Sequence, residues 1–215
     1  MKIIEPSVEL IDDIDGEEIL RKIERCGKVS RKSQPGDAES FVRSIIKRGH
    51  ESVLEHVSLT FHIICDRAIM AELTRHRLAS FTVESTRYVN YKDGLTVIAP
   101  DFDGVTHPDR SIRVPAQMQH SNWYEAVQSA EVSYLNCLTG GEYYEGCGMP
   151  PEQARAVLPL CLATELYMTA NLREWRHILK LRTDKAAHPQ MRVVAGQILD
   201  ILRDKLPVIV EDIKP

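Results

Sequence analysis

The run Val-Ser-Leu-Thr-Phe-His-Ile-Ile-Cys at residues 57–65 constrains this chain more than any other stretch. Side chains alternate across an extended strand, so Val57, Leu59, Phe61 and Ile63 share one face, with Ser58, Thr60 and His62 on the other. The pattern predicts a half-buried β-strand. Asp66, directly after it, is placed to cap a helix carrying Ile69, Met70 and Leu73 towards Arg75.

Around this strand the chain divides into elements by periodicity and breakers. Residues 2–10 read as a strand, and a helix starts near Asp15. Residues 30–37, with Gln34-Pro35-Gly36, read as a loop. Residues 38–48 carry Phe41, Ile45 and Ile46 at helical spacing and stop at Gly49. Residues 92–114 read as a hairpin or surface excursion. The later chain reads as helices over 117–138 (closed by Gly140-Gly141), from Pro150-Pro151-Glu152, over 171–182 and over 189–206. No repeat, low-complexity tract or linker divides it. The expectation is an α+β fold, strands mainly in the N-terminal half and helices in the C-terminal half, forming a single domain over 1–215.

Charge and cysteine usage narrow the function classes. A net charge of -4 is the wrong sign for a dedicated nucleic-acid or membrane-surface binder. An anionic ligand would therefore be held by a local cluster of cations. Cys26, Cys65, Cys137, Cys147 and Cys161 are odd in number, scattered and without a CxxC pair, which argues against a disulfide framework or structural zinc. With no signal-like or membrane-spanning apolar run near Met1 or elsewhere, the expectation is a reduced, cytoplasmic protein.

Three arginines, one histidine and two serines fall within residues 75–88 (Arg-His-Arg-Leu-Ala-Ser-Phe-Thr-Val-Glu-Ser-Thr-Arg-Tyr). Guanidinium groups present paired planar donors suited to phosphates and imides. Arg155, Arg173, Arg176 and Arg182 recur later among apolar residues, Arg155 within the apparent helix PEQARAVLPLCLAT. Each needs a partner, because an unpaired buried charge costs several kcal/mol. A ligand anion and a structural carboxylate both satisfy that need, and the residues alone leave the two readings open. His50, Glu51, Glu55 and His56 add four ionisable groups just before the strand.

The spacing Arg75-His76-Arg77, seven residues, then Ser85-Thr86-Arg87 resembles the signature of flavin-dependent thymidylate synthases. Further segments are similar to the same family: Gly49-His50-Glu51-Ser52, Glu55-His56, Ala154-Arg155 with Val157-Leu158-Pro159, Asn171-Leu172-Arg173 and Leu181-Arg182. The resemblance covers about residues 40 to 205. It implies the fold of that family and methylation of dUMP to dTMP with FAD as cofactor, 5,10-methylene-tetrahydrofolate as carbon donor and NADPH as reductant. It also implies a homotetramer with active sites shared between subunits. Carried over by position, Ser52, Arg75, His76, Arg77, Asn171, Arg173 and His177 belong to the cofactor site. Glu72, Arg75, Glu84, Ser85, Arg87, Arg155 and Arg182 belong to the substrate site, and Arg182, Ser85 and His50 to the catalytic set. Three positions depart from the family: Glu72 replaces a glutamine, an acidic residue stands at Glu84 and not at Val83, and His177 replaces an asparagine. The stretch 183–189 receives no role.

Methylating a pyrimidine at C5 requires electron density there, from a thiolate added at C6 or from electrostatic stabilisation of an N3-ionised base. No cysteine sits in a segment with the marks of an activated nucleophile, and Ser85 has no activating base at fixed spacing. The expected route is therefore electrostatic, with Arg182 beside the base. Two other classes are weaker. A helical zinc site wants histidines four apart, whereas His50 and His56 are six apart. A nucleic-acid module conflicts with the acidic charge and the 6% aromatic content. The expectation is no metal, no nucleic acid and no membrane partner.

Overall fold

A computed structural model describes residues 1–101, 105–106, 113–114, 116–142 and 146–214. In chain order the elements are β1 (Lys2–Ile4), β2 (Ser7–Leu10), α1 (Gly16–Lys28), α2 (Ala38–Lys47), β3 (Ser58–Asp66), α3 (Arg67–Leu73), β4 (Ala79–Val83) and β5 (Thr96–Ile98). There follow β6 (Val105–Thr106), β7 (Arg113–Val114), α4 (Ala116–Thr139), α5 (Pro151–Ala154), β8 (Ala163–Asn171), α6 (Leu172–Arg182), α7 (Pro189–Lys205) and α8 (Pro207–Val210). Short 3-10 turns cover Val29–Arg31, Glu51–His56 and Arg155–Val157.

The chain forms two compact units that alternate along the sequence. One comprises Met1–Glu5, Cys65–Ala68 and Val83–Thr164, the other Pro6–Ile64, Ile69–Thr82 and Glu165–Pro215. In the first, β1 pairs parallel with β5 in the register Lys2↔Thr96 to Ile4↔Ile98. Its core gathers Leu95, Val97, Val127, Tyr134, Ala154 and Leu162. The expected surface excursion over 92–114 instead begins in the core, with Leu95, Val97 and Ile98 at 3% exposure or less. Further on, β6 and β7 pair antiparallel, Val105 opposite Val114. The intervening residues lie outside the described set.

The second unit holds most of a four-stranded sheet in the order β2-β3-β8-β4. β3 carries the alternation expected of it: Leu59, Phe61 and Ile63 are 1% exposed or less, while Ser58 is exposed. Trp175 of α6 packs its ring edge on Phe61 at 4.9 Å and donates its indole N–H to the Leu59 carbonyl at 3.0 Å. On the opposite face the Thr60 and Thr169 hydroxyls meet at 2.9 Å, and His62 stacks on Tyr167. The caps follow the sequence signals. Asp15 and Asp37 accept from the first free amides of α1 and α2, Pro189 opens α7, and Gly49 closes α2 at φ +70, a left-handed conformation costly for other residues.

Three expectations are corrected. Residues 2–10 do not form one strand. Pro6 offers no N–H, the chain breaks before it, and β1 and β2 join different sheets. The helix opened at Pro150 ends at Ala154 and does not contain Cys161. Pro159 holds Leu158 in extended backbone (φ -68, ψ 136), which a helix cannot continue through. The division by halves is also not clean: β8 lies deep in the second half, and α1, α2 and α3 in the first. Among the described residues no helix is long and apolar enough to cross a membrane.

Candidate active site

The second unit builds its charged centre where α3 ends. The last turn of α3 tightens, with Arg75 N–H donating to the Glu72 carbonyl at 3.2 Å and His76 N–H to the Leu73 carbonyl at 3.1 Å. This turn points the signature triplet in alternate directions: Arg75 and Arg77 are exposed, while His76 is 6% exposed. Arg182, in the last turn of α6, closes the centre. It donates Nη1–H to Glu72 Oε2 at 2.8 Å, Nη2–H to the Glu72 carbonyl at 3.1 Å and Nε–H to His76 Nε2 at 3.1 Å. A cation at the carbonyl end of α3 also meets the negative end of that helix.

These bonds fix the state of His76. Burial first, then the Arg182 charge and then His177, push its ring down to about 4, so near neutrality it is uncharged. Because Nε2 accepts from Arg182, the ring proton sits on Nδ1, which faces Glu174 Oε1 at 3.6 Å. His76, Glu174 and His177 present ligand-type atoms within 4.8 Å of one another. The protonated Nδ1 and the adjacent guanidinium oppose a cation there.

The same bonds predict an acid-sensitive step. The unfolded ring titrates near 6.5. From about pH 6.5 down to about 4 the unfolded chain binds a proton that folded His76 refuses, so stability present above that window is lost as pH falls through it. Urea midpoints should drop between about pH 7 and pH 5, and drop less in His76→Gln. Equal drops in both proteins would clear His76 of this role.

Two concavities carry four of the seven residues assigned to the cofactor, while Arg75, His76 and Arg77 line neither. Asn171, Arg173 and His177 line a cleft of about 610 Å³ with Leu78, Glu51, Glu55, Glu174 and Lys180. His50 and Ser52 line a cavity of about 510 Å³ with Cys26, Lys28, Phe41 and Arg48 among its walls. Asn171 caps α6, its side-chain oxygen accepting from Glu174 N–H at 2.9 Å. Arg173 pairs with Glu55. Buried Arg176 resolves to a structural role: it holds Asp212 through both Nη atoms, at 2.7 and 2.8 Å, and Glu51 at 3.0 Å. Glu51 and Glu55, considered as metal ligands from sequence, are thus held in ion pairs.

The first unit carries the other substrate residues. Ser85 Oγ accepts from Arg87 N–H at 3.3 Å, and Arg87 approaches Glu152 at 3.7 Å, both side chains about half exposed. Arg155 donates to the hydroxyl of buried Thr86 at 3.3 Å. Arg155 itself is exposed, contrary to the expectation of an arginine inside an apolar helix. Only Ala154 and Leu162 of its surroundings are buried to 1% or less, because the helix stops. Glu84 accepts from the Tyr91 hydroxyl.

Sequence reasoning missed Glu174, Lys180 and Leu78 among the cleft residues. The sequence did carry one signal for Glu174: Asn171-x-x-Glu174 is a capping-box spacing.

The family model described as thymidylate synthase complementing protein matches residues 9–208. A probable flavin-dependent thymidylate synthase of Mycobacterium phage L5 is 35% identical over 209 residues, covering 94% of this chain and 82% of that protein. The flavin-dependent thymidylate synthase of Geobacter sulfurreducens is 31% identical over 190 residues, covering 87% of this chain and 75% of its own. Among solved structures, the UMP/dUMP methylase PolB of Streptomyces cacaoi bound with 5-Br dUMP superposes with a TM-score of 0.78 at 26% identity, covering 98% of this chain and 96% of that one.

Proposed function

Because the chain belongs to the thymidylate synthase complementing protein family, we propose that it is a flavin-dependent thymidylate synthase converting dUMP to dTMP. In this reading FAD is the cofactor, 5,10-methylene-tetrahydrofolate the carbon donor and NADPH the reductant. The observation that carries it is Arg182, a guanidinium fixed by His76 and the Glu72 carbonyl at the end of the signature turn.

The residues of the second unit fit a flavin dinucleotide. Arg173 and Lys180 are the cleft's cations for a diphosphate, which would replace their partly exposed partners Glu55 and Asp212, and Leu78, 73% exposed, offers an apolar surface for a planar ring. Each acidic group of that cleft has a neighbour of its own: Glu55 pairs with Arg173 inside the cleft, Glu51 with Arg176, and Glu174 faces His76. Ser52, Arg75, His76, Arg77, Asn171, Arg173 and His177 would hold the cofactor, with His50 beside it. Bound flavin supplies the reducing hydride.

The protein's own contribution is electrostatic. Arg182 favours the N3-ionised pyrimidine and so raises electron density at C5, while Ser85, Arg87 and Arg155 bind phosphate and sugar. No thiolate is needed at C6. Burial, reinforced by Asp66, pushes the Cys65 thiol up to about 12, and burial raises Cys161 as well. Both are poor nucleophiles.

Leu78, inside the signature, and Tyr88, directly after it, are 73% and 78% exposed, and large apolar groups of this kind suit coverage by another copy of the chain. That supports a homotetramer sharing its active sites, each copy of residues 1–215 acting as one domain. Five free cysteines suit a reducing cytoplasm.

The test is direct. Protein supplied with FAD should show a flavin absorbance that bleaches with NADPH, and should release tritium from C5-labelled dUMP when methylene-tetrahydrofolate is present. UMP serves as the competing substrate, since the Streptomyces enzyme is named for both nucleotides. No flavin uptake and no tritium release would end the proposal.

A further inference from the structure

Arg182 is compensated before any ligand arrives, and by a partner built to leave. Its three bonds differ in kind. Those to the Glu72 carbonyl and to His76 Nε2 tie the guanidinium to the α3 terminus and to a buried neutral ring, at 3.1 Å each. The third, to Glu72 Oε2 at 2.8 Å, goes to a side chain 37% exposed, against 16% for Arg182. Glu72 also sits in the last turn of α3, where the carbonyl end of the helix disfavours a negative charge. The cation is therefore fixed and its anion loosely placed. At Arg176 the anion is anchored by number of bonds and not by burial: Asp212, 41% exposed, is held through both carboxylate oxygens, where Glu72 has one bond.

We propose that Glu72 is an exchangeable counter-ion, so that an anionic pyrimidine gains Arg182 only by displacing the Glu72 carboxylate. Two of the five N–H groups of Arg182 remain outside its three bonds and give the incoming ring its first hold. The exchange swaps one anion for another, so the charge of the centre is unchanged while the carboxylate turns to solvent. Glu72 thereby sets the affinity for the ionised ring without touching it. The inference rests on the proposed function for the identity of that ring.

Glu72→Gln keeps the size and an acceptor oxygen but removes the charge. It should tighten dUMP binding, measured by calorimetry, by about tenfold, or about 1.4 kcal/mol. Its melting temperature should fall slightly through loss of the ion pair, opposite in direction to the gain in affinity. In an Arg182→Ala background the same substitution should change the dissociation constant less than twofold. Binding that is unchanged or weaker in Glu72→Gln, while wild-type protein binds dUMP, overturns the counter-ion role alone. An equal gain in both backgrounds overturns it too, since the effect would then be a general field. Failure of the wild type and every variant to bind dUMP removes the proposed function and the counter-ion role together.

Discussion

Arg182→Ala should lower turnover by roughly 10²–10³-fold, the range for removing one preorganised electrostatic donor, while flavin retention changes by only a few-fold. The asymmetry follows from what Arg182 holds. Its guanidinium meets Glu72 and His76, whereas the cleft lined by Asn171, Arg173 and His177 is built by other side chains. Loss of the side chain leaves Glu72 with 37% of its own surface in water, so the carboxylate can solvate and the folding cost stays small. The C-terminal end of α3 loses one cation, but the backbone bonds from Arg75 and His76 that shape the turn remain. Arg182→Lys should fall between, since an ammonium keeps the charge and cannot span Glu72 and His76 together. The measurement is tritium release under saturating nucleotide, paired with flavin absorbance of the same preparations. Turnover within tenfold of wild type in Arg182→Ala would take the residue out of the chemistry.

What could be read beforehand divides along physical lines. β3 was legible because Leu59, Phe61 and Ile63 are large, apolar and alternate with polar Ser58, Thr60 and His62, the pattern of a half-covered strand. α1, α6 and α7 were legible through local signals: the caps Asp15 and Asn171 and the leading Pro189. β8 was missed although Leu166, Met168 and Ala170 are buried and alternate with Glu165, Tyr167 and Thr169. Leucine, methionine and alanine are strong helix formers, and here sheet pairing overrode their propensity. The site was legible as a set of residue types and spacings, not as an arrangement. Nothing local says that His76 turns inward between two exposed arginines. That depends on Glu174 and Arg182, which approach it from α6. Of the arginines read as needing a partner, Arg176 is buried and finds a structural carboxylate in Asp212, whereas Arg155 is exposed beside Thr86. Pro159 decided the second case by ending the helix.

Arg176→Ala should cost about 3 kcal/mol of stability, and more than any single substitution among the surface ion pairs. Arg176 is 1% exposed and donates to the Ile209 carbonyl, to both oxygens of Asp212 and to Glu51, so it ties α6 to the segment around α8 and to the turn before β3. Truncation leaves a cavity and, among the described residues, leaves Asp212 and Glu51 with Lys180 alone as their cation, at 3.3 and 4.0 Å and half exposed. The cost lies at the low end of the range for broken buried pairs because Asp212 and Glu51 keep 41% and 19% of their surface in water. The Asp212 carboxyl reports the same coupling: the Arg176 hydrogen bond, against burial, holds it down at about 2. Asp212→Asn should cost less than Arg176→Ala, since Glu51 and the Ile209 carbonyl still face the cation. Thermal unfolding measures both. At roughly 2–4 °C per kcal/mol for a chain of this size, Arg176→Ala should melt about 6–12 °C below wild type, and Arg43→Ala, whose ion pairs are half exposed, within about 2 °C of it. Equal shifts in those two variants would mean that burial of Arg176 adds nothing to its pairing. Flavin uptake by Arg176→Ala at low temperature should match the wild type, because the residue joins elements to one another and lines neither concavity.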